Sequence, residues 1–349
     1  MKKSLLFLSL LTSVSLTSCG GNEPSFEKVN LKYGYIADTA VTEKEQLEIG
    51  YSTLKDMVDD KESFILLLFH DRTCGCWKWE LGPIAVEYMN KYNIKLYAFD
   101  NALLVGETDT FGLYTRTDNV PGICFFEKGK LLRQTIYRRL DEKHRQMFKD
   151  LDAFSAFVNE NCYLPKMYYI EKEKLDAKIS NNDDFNLYVT KSGCPDCGKI
   201  EEEYVDKWIE TNKLLEVKEM LYVFDVKKYN DTPEYQTIKD AYGLSVAGNS
   251  IFGYGNGFMP TFQRREQGKI TDMITVLNDS ADKDTGLVTS YFTAARIAAS
   301  PILSKAQFDV IDGTTIDTSF ILPWGGINQQ KQLEWHLPAT EMFFDTYVK

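Results

Sequence analysis

Phe185-Asn186-Leu187-Tyr188-Val189-Thr190-Lys191-Ser192-Gly193-Cys194-Pro195-Asp196-Cys197-Gly198-Lys199 is the stretch that decides the fold. Its first five residues read as a strand, and Ile200, Tyr204 and Trp208 then recur at helical spacing. Cys194 therefore falls on a strand-to-helix turn. Pro195 suits the first helical position, where its missing N–H is not needed and its fixed φ already fits. Free amides and the positive dipole end at that turn favour a thiolate, which makes Cys194 the better nucleophile. Cys197, about one turn further in, is placed to resolve a mixed disulfide. Two thiols at this spacing point to electron chemistry.

The same pattern occurs earlier in the chain. Phe64-Ile65-Leu66-Leu67-Leu68-Phe69-His70-Asp71-Arg72-Thr73-Cys74-Gly75-Cys76-Trp77-Lys78 aligns without gaps when Phe64 is set on Phe185. Val120-Pro121-Gly122-Ile123-Cys124-Phe125-Phe126-Glu127-Lys128-Gly129-Lys130 likewise matches Met259-Pro260-Thr261-Phe262-Gln263-Arg264-Arg265-Glu266-Gln267-Gly268-Lys269. Both read as a strand entered through a proline and left through a Gly-Lys hairpin turn. Leu96 to Asp100 and Leu221 to Asp225 fit as central strands, and Glu43 to Leu47 and Glu171 to Leu175 are expected to start similar helices. The chain reads as two copies of one fold.

Strand, cysteine motif, long helix, central strand, proline-entered hairpin and terminal helix follow an order that resembles the thioredoxin superfamily. The resemblance implies an α/β chain of two tandem thioredoxin-like three-layer domains, each a central mixed sheet flanked by helices. It also implies that the hairpin proline is cis, lies against the cysteine motif, and follows backbone that pairs with substrate. Carried over, the substrate-binding residues are Met259 and Pro260 in the second copy and Val120 and Pro121 in the first. Expected boundaries are 43–164 for the first domain and 165–349 for the second, with a linker over 20–42. A helix is expected over Leu287 to Ala295, and a terminal helix over Ala339 to Val348. Residues 280–338 are expected as an insertion, and long insertions of this kind are more often functional than decorative.

At 349 residues and 44% hydrophobic the chain can fill two cores, and its net charge of -11 argues against nucleic acid as a partner. Lys2 and Lys3 precede an apolar run from Leu5 to Leu16, too short for a membrane span but suited to a secretory leader. The run ends in Leu16-Thr17-Ser18-Cys19, which resembles the lipobox of bacterial lipoproteins. That resemblance implies a signal peptide over 1–19, lipidation of Cys19, and an extracytoplasmic protein held to the bilayer by its acyl anchor. Plain secretion with an incidental Cys19 is the alternative.

The expected function is disulfide exchange with protein thiols through Cys194 and Cys197, with a membrane electron-transfer partner and no cofactor beyond the redox-active pair. Asp196 is expected to oppose thiolate formation, and Lys191 and Lys199 to favour it. Reducing members of the resembled family carry a buried acid where this chain has Tyr188. In the first copy Thr73 takes the place of Cys194, so Cys74 and Cys76 read either as an active CxC pair or as part of an idle scaffold. Cys124 and Cys162 read as small buried hydrophobes, with pairing between them, or of either with the CxC site, left open. The three histidines, His70, His144 and His336, are scattered, so no metal site is expected, although zinc on the thiols is a weaker reading. A non-catalytic surface protein that presents the same fold to a partner is the rival from another class.

Overall fold

A computed structural model describes residues 28–36, 40–70, 75–115, 120–140, 142–212, 220–276, 279–306, 308 and 310–348. The leader and Cys19, and also Cys74, lie outside the described residues. Among these residues no helix is long and apolar enough to cross a membrane.

Each half is a thioredoxin-like three-layer domain. In the first, strands run in the order Leu96–Asp100, Phe64–Phe69, Gly122–Glu127, Lys130–Ile136, the first two parallel and the rest antiparallel. In the second, Leu221–Asp225, Phe185–Thr190, Thr261–Glu266 and Lys269–Thr275 repeat that order and those directions. Parallel neighbours need a crossover, and the helix after each cysteine motif supplies it. Even the irregularities recur: a bulge at Phe125/Phe126 and at Arg264/Arg265, and positive φ at Lys128 and Gln267. The central strands are buried on both faces, so side chains alternate between two cores. Ile65, Leu67 and Phe69 meet the helix Gly82–Tyr92 and the helix Leu151–Asn161, while Phe64, Leu66 and Leu68 meet the helix Tyr51–Asp59.

Three expectations are corrected by the packing. Lys44–Leu47 is a single 3-10 turn closed by the Glu43–Gln46 capping box, after which Ile49 bonds the Ala98 carbonyl in extended form. The helix proper is Tyr51–Asp59, nine residues like its counterpart Lys172–Ser180. The expected linker contains two strands: Val29–Asn30 pairs with Cys162–Tyr163, and Tyr33–Ile36 joins the far sheet beside Met167–Ile170. Its alternating apolar residues complete the edges of two sheets instead of spanning open solvent.

The third correction concerns the insertion. Val288–Thr289 is a short strand paired with Ser280–Ala281, and the helix here is Ala294–Ala299, capped by Thr293. Tyr291 and Phe292, adjacent in sequence, are both fully buried, which one helical face does not allow. The terminal helix begins at Gln329, capped by Asn328, and carries Pro338 in its interior. Leu333, Trp335, Ala339 and Phe343 bury that helix in the same core as Tyr188, Phe262, Tyr291 and Phe292. Burial of about 1.5–3 kcal/mol per large apolar side chain outweighs the roughly 3 kcal/mol cost of an interior proline.

Candidate functional site

Strand Phe185–Thr190 ends one turn before Cys194, which takes the N-cap position of the helix Pro195–Ile200. Gly193 adopts φ +79 there, and the Cys194 amide bonds the Lys191 carbonyl at 3.0 Å. Both cysteines carry free thiols. Cys194 is half-buried and Cys197 buried, so one sulfur is reachable and the other is not.

The Cys194 thiol is pulled down to about 6, chiefly by a hydrogen bond from Cys197, with the Cys197 and Asp196 backbone amides adding to it. Burial and the Asp196 carboxylate oppose the shift. Cys197 moves strongly the other way, because it supplies that bond and is desolvated. The lysines expected to help are engaged elsewhere: Lys199 bonds Glu203 at 2.7 Å and Lys191 bonds Asn230 at 3.3 Å. Amide and thiol donors at the helix mouth therefore set the nucleophile.

Alkylation of Cys194 should accordingly rise with pH through a midpoint near 6 and level off above about pH 7. Cys197→Ala should move that midpoint up by on the order of one pH unit or more. A midpoint at or above about pH 8 in the unaltered chain would contradict this assignment. The folded value lies below that of an unfolded thiol at about 8.5, so Cys194 contributes stability to the reduced fold that is complete above that pH, while the raised Cys197 opposes it there. That gain is lost as pH falls through about 6.

Behind the pair lies a carboxylate that the sequence reading missed. Strand alternation puts Tyr188 and Thr190 on the face turned to the helix, where Tyr188 Oη donates to Glu201 Oε1 at 2.9 Å and Thr190 Oγ1 at 3.1 Å. The Thr190 side chain is also hydrogen-bonded with Cys197. Glu201 stands four residues after Cys197, the spacing that stacks side chains on one helix face. That spacing, together with two hydroxyl residues alternating in the strand, was the available signal.

Met259 and Cys194 pack in one cluster with Cys197, Phe224 and Leu244, and the Met259–Pro260 bond is cis. The second set of expected residues is thus brought together. The Val120–Pro121 bond is also cis, but the first half differs around its cysteines. Cys76 is disulfide-bonded, whereas Cys124 and Cys162 are buried free thiols pushed up by desolvation and do not pair. At the positions of Tyr188 and Thr190 the first half has Leu67 and Phe69, and Trp77 stacks on Phe69 at 4.8 Å. Glu80, the counterpart of Glu201, pairs instead with Lys149 at 3.3 Å.

The two motifs are not brought together. A cleft of about 1080 Å³ between the halves takes Ser192 and Asp225 from the cysteine end of the second sheet. From the first half it takes Phe64, Lys95 and Lys128, at the opposite end of the strand that leads to Cys76. A strand of that length spans roughly 20 Å.

No protein-family model matches this sequence, and no curated protein does. Among solved structures, the chain is similar to human ERp44 form I at 12% identity and a TM-score of 0.35, over 66% of this chain and 50% of that one. It is similar to human ERp44 form II at 12% identity and a TM-score of 0.34, over 66% and 51%. The first two thioredoxin domains of Saccharomyces cerevisiae Eps1p match at 12% identity and a TM-score of 0.22, over 66% and 91%. The chain spans about half the length of the ERp44 chains it matches.

Proposed function

We propose that this chain is a thiol:disulfide oxidoreductase acting on protein disulfides through Cys194 and Cys197. The observation that carries the reading is a half-buried Cys194 held at about 6 at a helix mouth, bonded to a buried Cys197. At neutral pH Cys194 is then a thiolate. Its sulfur attacks one sulfur of a substrate disulfide, a new S–S bond forms, and the other substrate sulfur leaves as a thiolate that solvent protonates. Cys197 next attacks Cys194, closing the internal disulfide and releasing the reduced substrate. Two electrons pass to the substrate, and a further dithiol must restore the pair. Run in reverse, the same steps oxidise a client.

The resolving step requires Cys197 to lose a proton in a desolvated site. Glu201 takes it through Thr190, since both hydrogen bonds already stand in the reduced fold. Glu201→Gln should prolong the mixed-disulfide intermediate by about 10²-fold while slowing the first attack far less. Equal effects on both steps, or none, would remove Glu201 from this role.

The function itself is tested by exchange with a model protein disulfide, which the unaltered chain should catalyse and Cys194→Ser should not. For the first half a scaffold reading is favoured, because apolar Leu67 and Phe69 stand where the second half has Tyr188 and Thr190, and Glu80 is paired with Lys149. Location is proposed on the sequence alone: Lys2, Lys3, the apolar run and Cys19 support a lipid-anchored extracytoplasmic chain that exchanges electrons with a membrane partner.

A further inference from the structure

The wall beside Cys194 holds a cation that no carboxylate bonds directly among the described residues. Lys239 is only 7% exposed, yet among the described residues its ammonium bonds no carboxylate or carbonyl. It sits 4.5 Å from the centroid of the Tyr235 ring. Tyr235 in turn packs in the cluster of Cys194, Cys197 and Met259, and is near enough to feel the charge of both cysteines. The stem of Lys239 lies under the loop that leads to Met259: a Cβ added at Gly257 would come within 3.0 Å of the Lys239 Cβ. A second cation, Lys191, lies close enough to interact with it electrostatically. The neighbouring carboxylate, Asp240, is occupied by Ser245 and by Gln236 at 2.7 Å.

The Lys239 side chain is held almost wholly within the wall, and half-buried Lys191, already bonded to Asn230, adds a second positive charge near it on a chain of net charge -11. A carboxylate arriving over Tyr235 would meet both charges. We propose that Lys239, with Lys191 beside it, is a carboxylate-binding subsite of the Cys194 centre that selects peptide disulfides with an acidic side chain next to the attacked half-cystine. The subsite rests on the proposed exchange chemistry and adds its substrate class. A residue one or two positions from the half-cystine reaches over Tyr235 to Lys239 while the substrate sulfur faces Cys194. The carboxylate is held and not transformed; the only bonds that change are the sulfur–sulfur bonds, with the leaving thiolate protonated by solvent.

The test uses the reduced full chain and three otherwise identical peptide disulfides with Glu, Gln or Lys beside the cysteine. Second-order rates are read at low salt and at high salt, and iodoacetamide alkylation of Cys194 reports the state of the thiolate in every sample. The Glu peptide should react about tenfold faster than the Lys peptide at low salt, with the ratio shrinking as salt screens it. In Lys239→Gln, and in Lys239→Met, which keeps an apolar stem, the ratio should fall to near one. Equal rates for the three peptides in the unaltered chain overturn the subsite and leave the exchange chemistry standing. A preference that survives in both variants also overturns it. Alkylation without reaction of any peptide overturns the subsite together with the oxidoreductase reading.

Discussion

Cys197→Ser should turn the protein into a trap: mixed disulfides to Cys194 should accumulate on mixing with a disulfide substrate, and turnover should fall by at least about 10³-fold. The first attack depends on the Cys194 thiolate, which keeps the Cys197 and Asp196 amides at the helix mouth. Serine also keeps a hydroxyl donor near the place of the lost thiol, so the nucleophile survives. What is lost is the second sulfur, so the intermediate can leave only by attack from outside. Cys197 is buried, and the mixed disulfide at Cys194 is therefore reached slowly by external thiols. The adduct is read by mass, and Cys194→Ser should give none. Adducts formed equally well without Cys194 would defeat the assignment of the nucleophile.

Asp279→Ala should cost on the order of 3 kcal/mol of stability or more, because it removes a buried carboxylate that satisfies both the His336 ring and the Tyr291 amide. Asp279 and His336 are both fully buried, with Oδ2 and Nε2 3.0 Å apart. Oδ1 accepts the Tyr291 amide at 2.8 Å, and the backbone carbonyl of Asp279 accepts that of Ile327 at 3.0 Å. Among the described residues His336 Nδ1 has no partner, so alanine leaves the ring with neither nitrogen bonded and strands the Tyr291 amide. Each such orphan costs about 1–3 kcal/mol. The loss is read as a lower urea midpoint for the second domain. A change under about 1 kcal/mol would mean that water enters and replaces the carboxylate.

That pair also shows why the inserted segment was hard to place. Residues 279 and 336 are far apart in sequence and surrounded by mixed apolar and polar residues with no clean period. Tyr291 and Phe292 read as part of a helical face, but they lie on an irregular segment held by side chains of Asp279 and Asp312. The terminal helix reads as starting at Ala339, whereas burial of Leu333 and Trp335 carries it back to Gln329. By contrast, the strands, the hairpin turns and the two prolines were legible, because buried strands and Gly-Lys turns write themselves in consecutive residues.

Sequence by itself determined the duplicated α/β order, the gapless match of the copies from Phe64 and Phe185, and the cysteine at the helix mouth, all written in consecutive residues. Only the tertiary structure decided that Tyr33–Ile36 completes the far sheet, that Glu201 stands behind Cys197, and that Lys239 emerges beside Tyr235. It also decided that the strand leading to Cys76 faces the cysteine end of the second sheet with its opposite end. The physical reason is the same in each case. Hydrogen bonds, burial and charge act across space over a few ångströms, and which distant residues come that close is fixed by how whole layers pack.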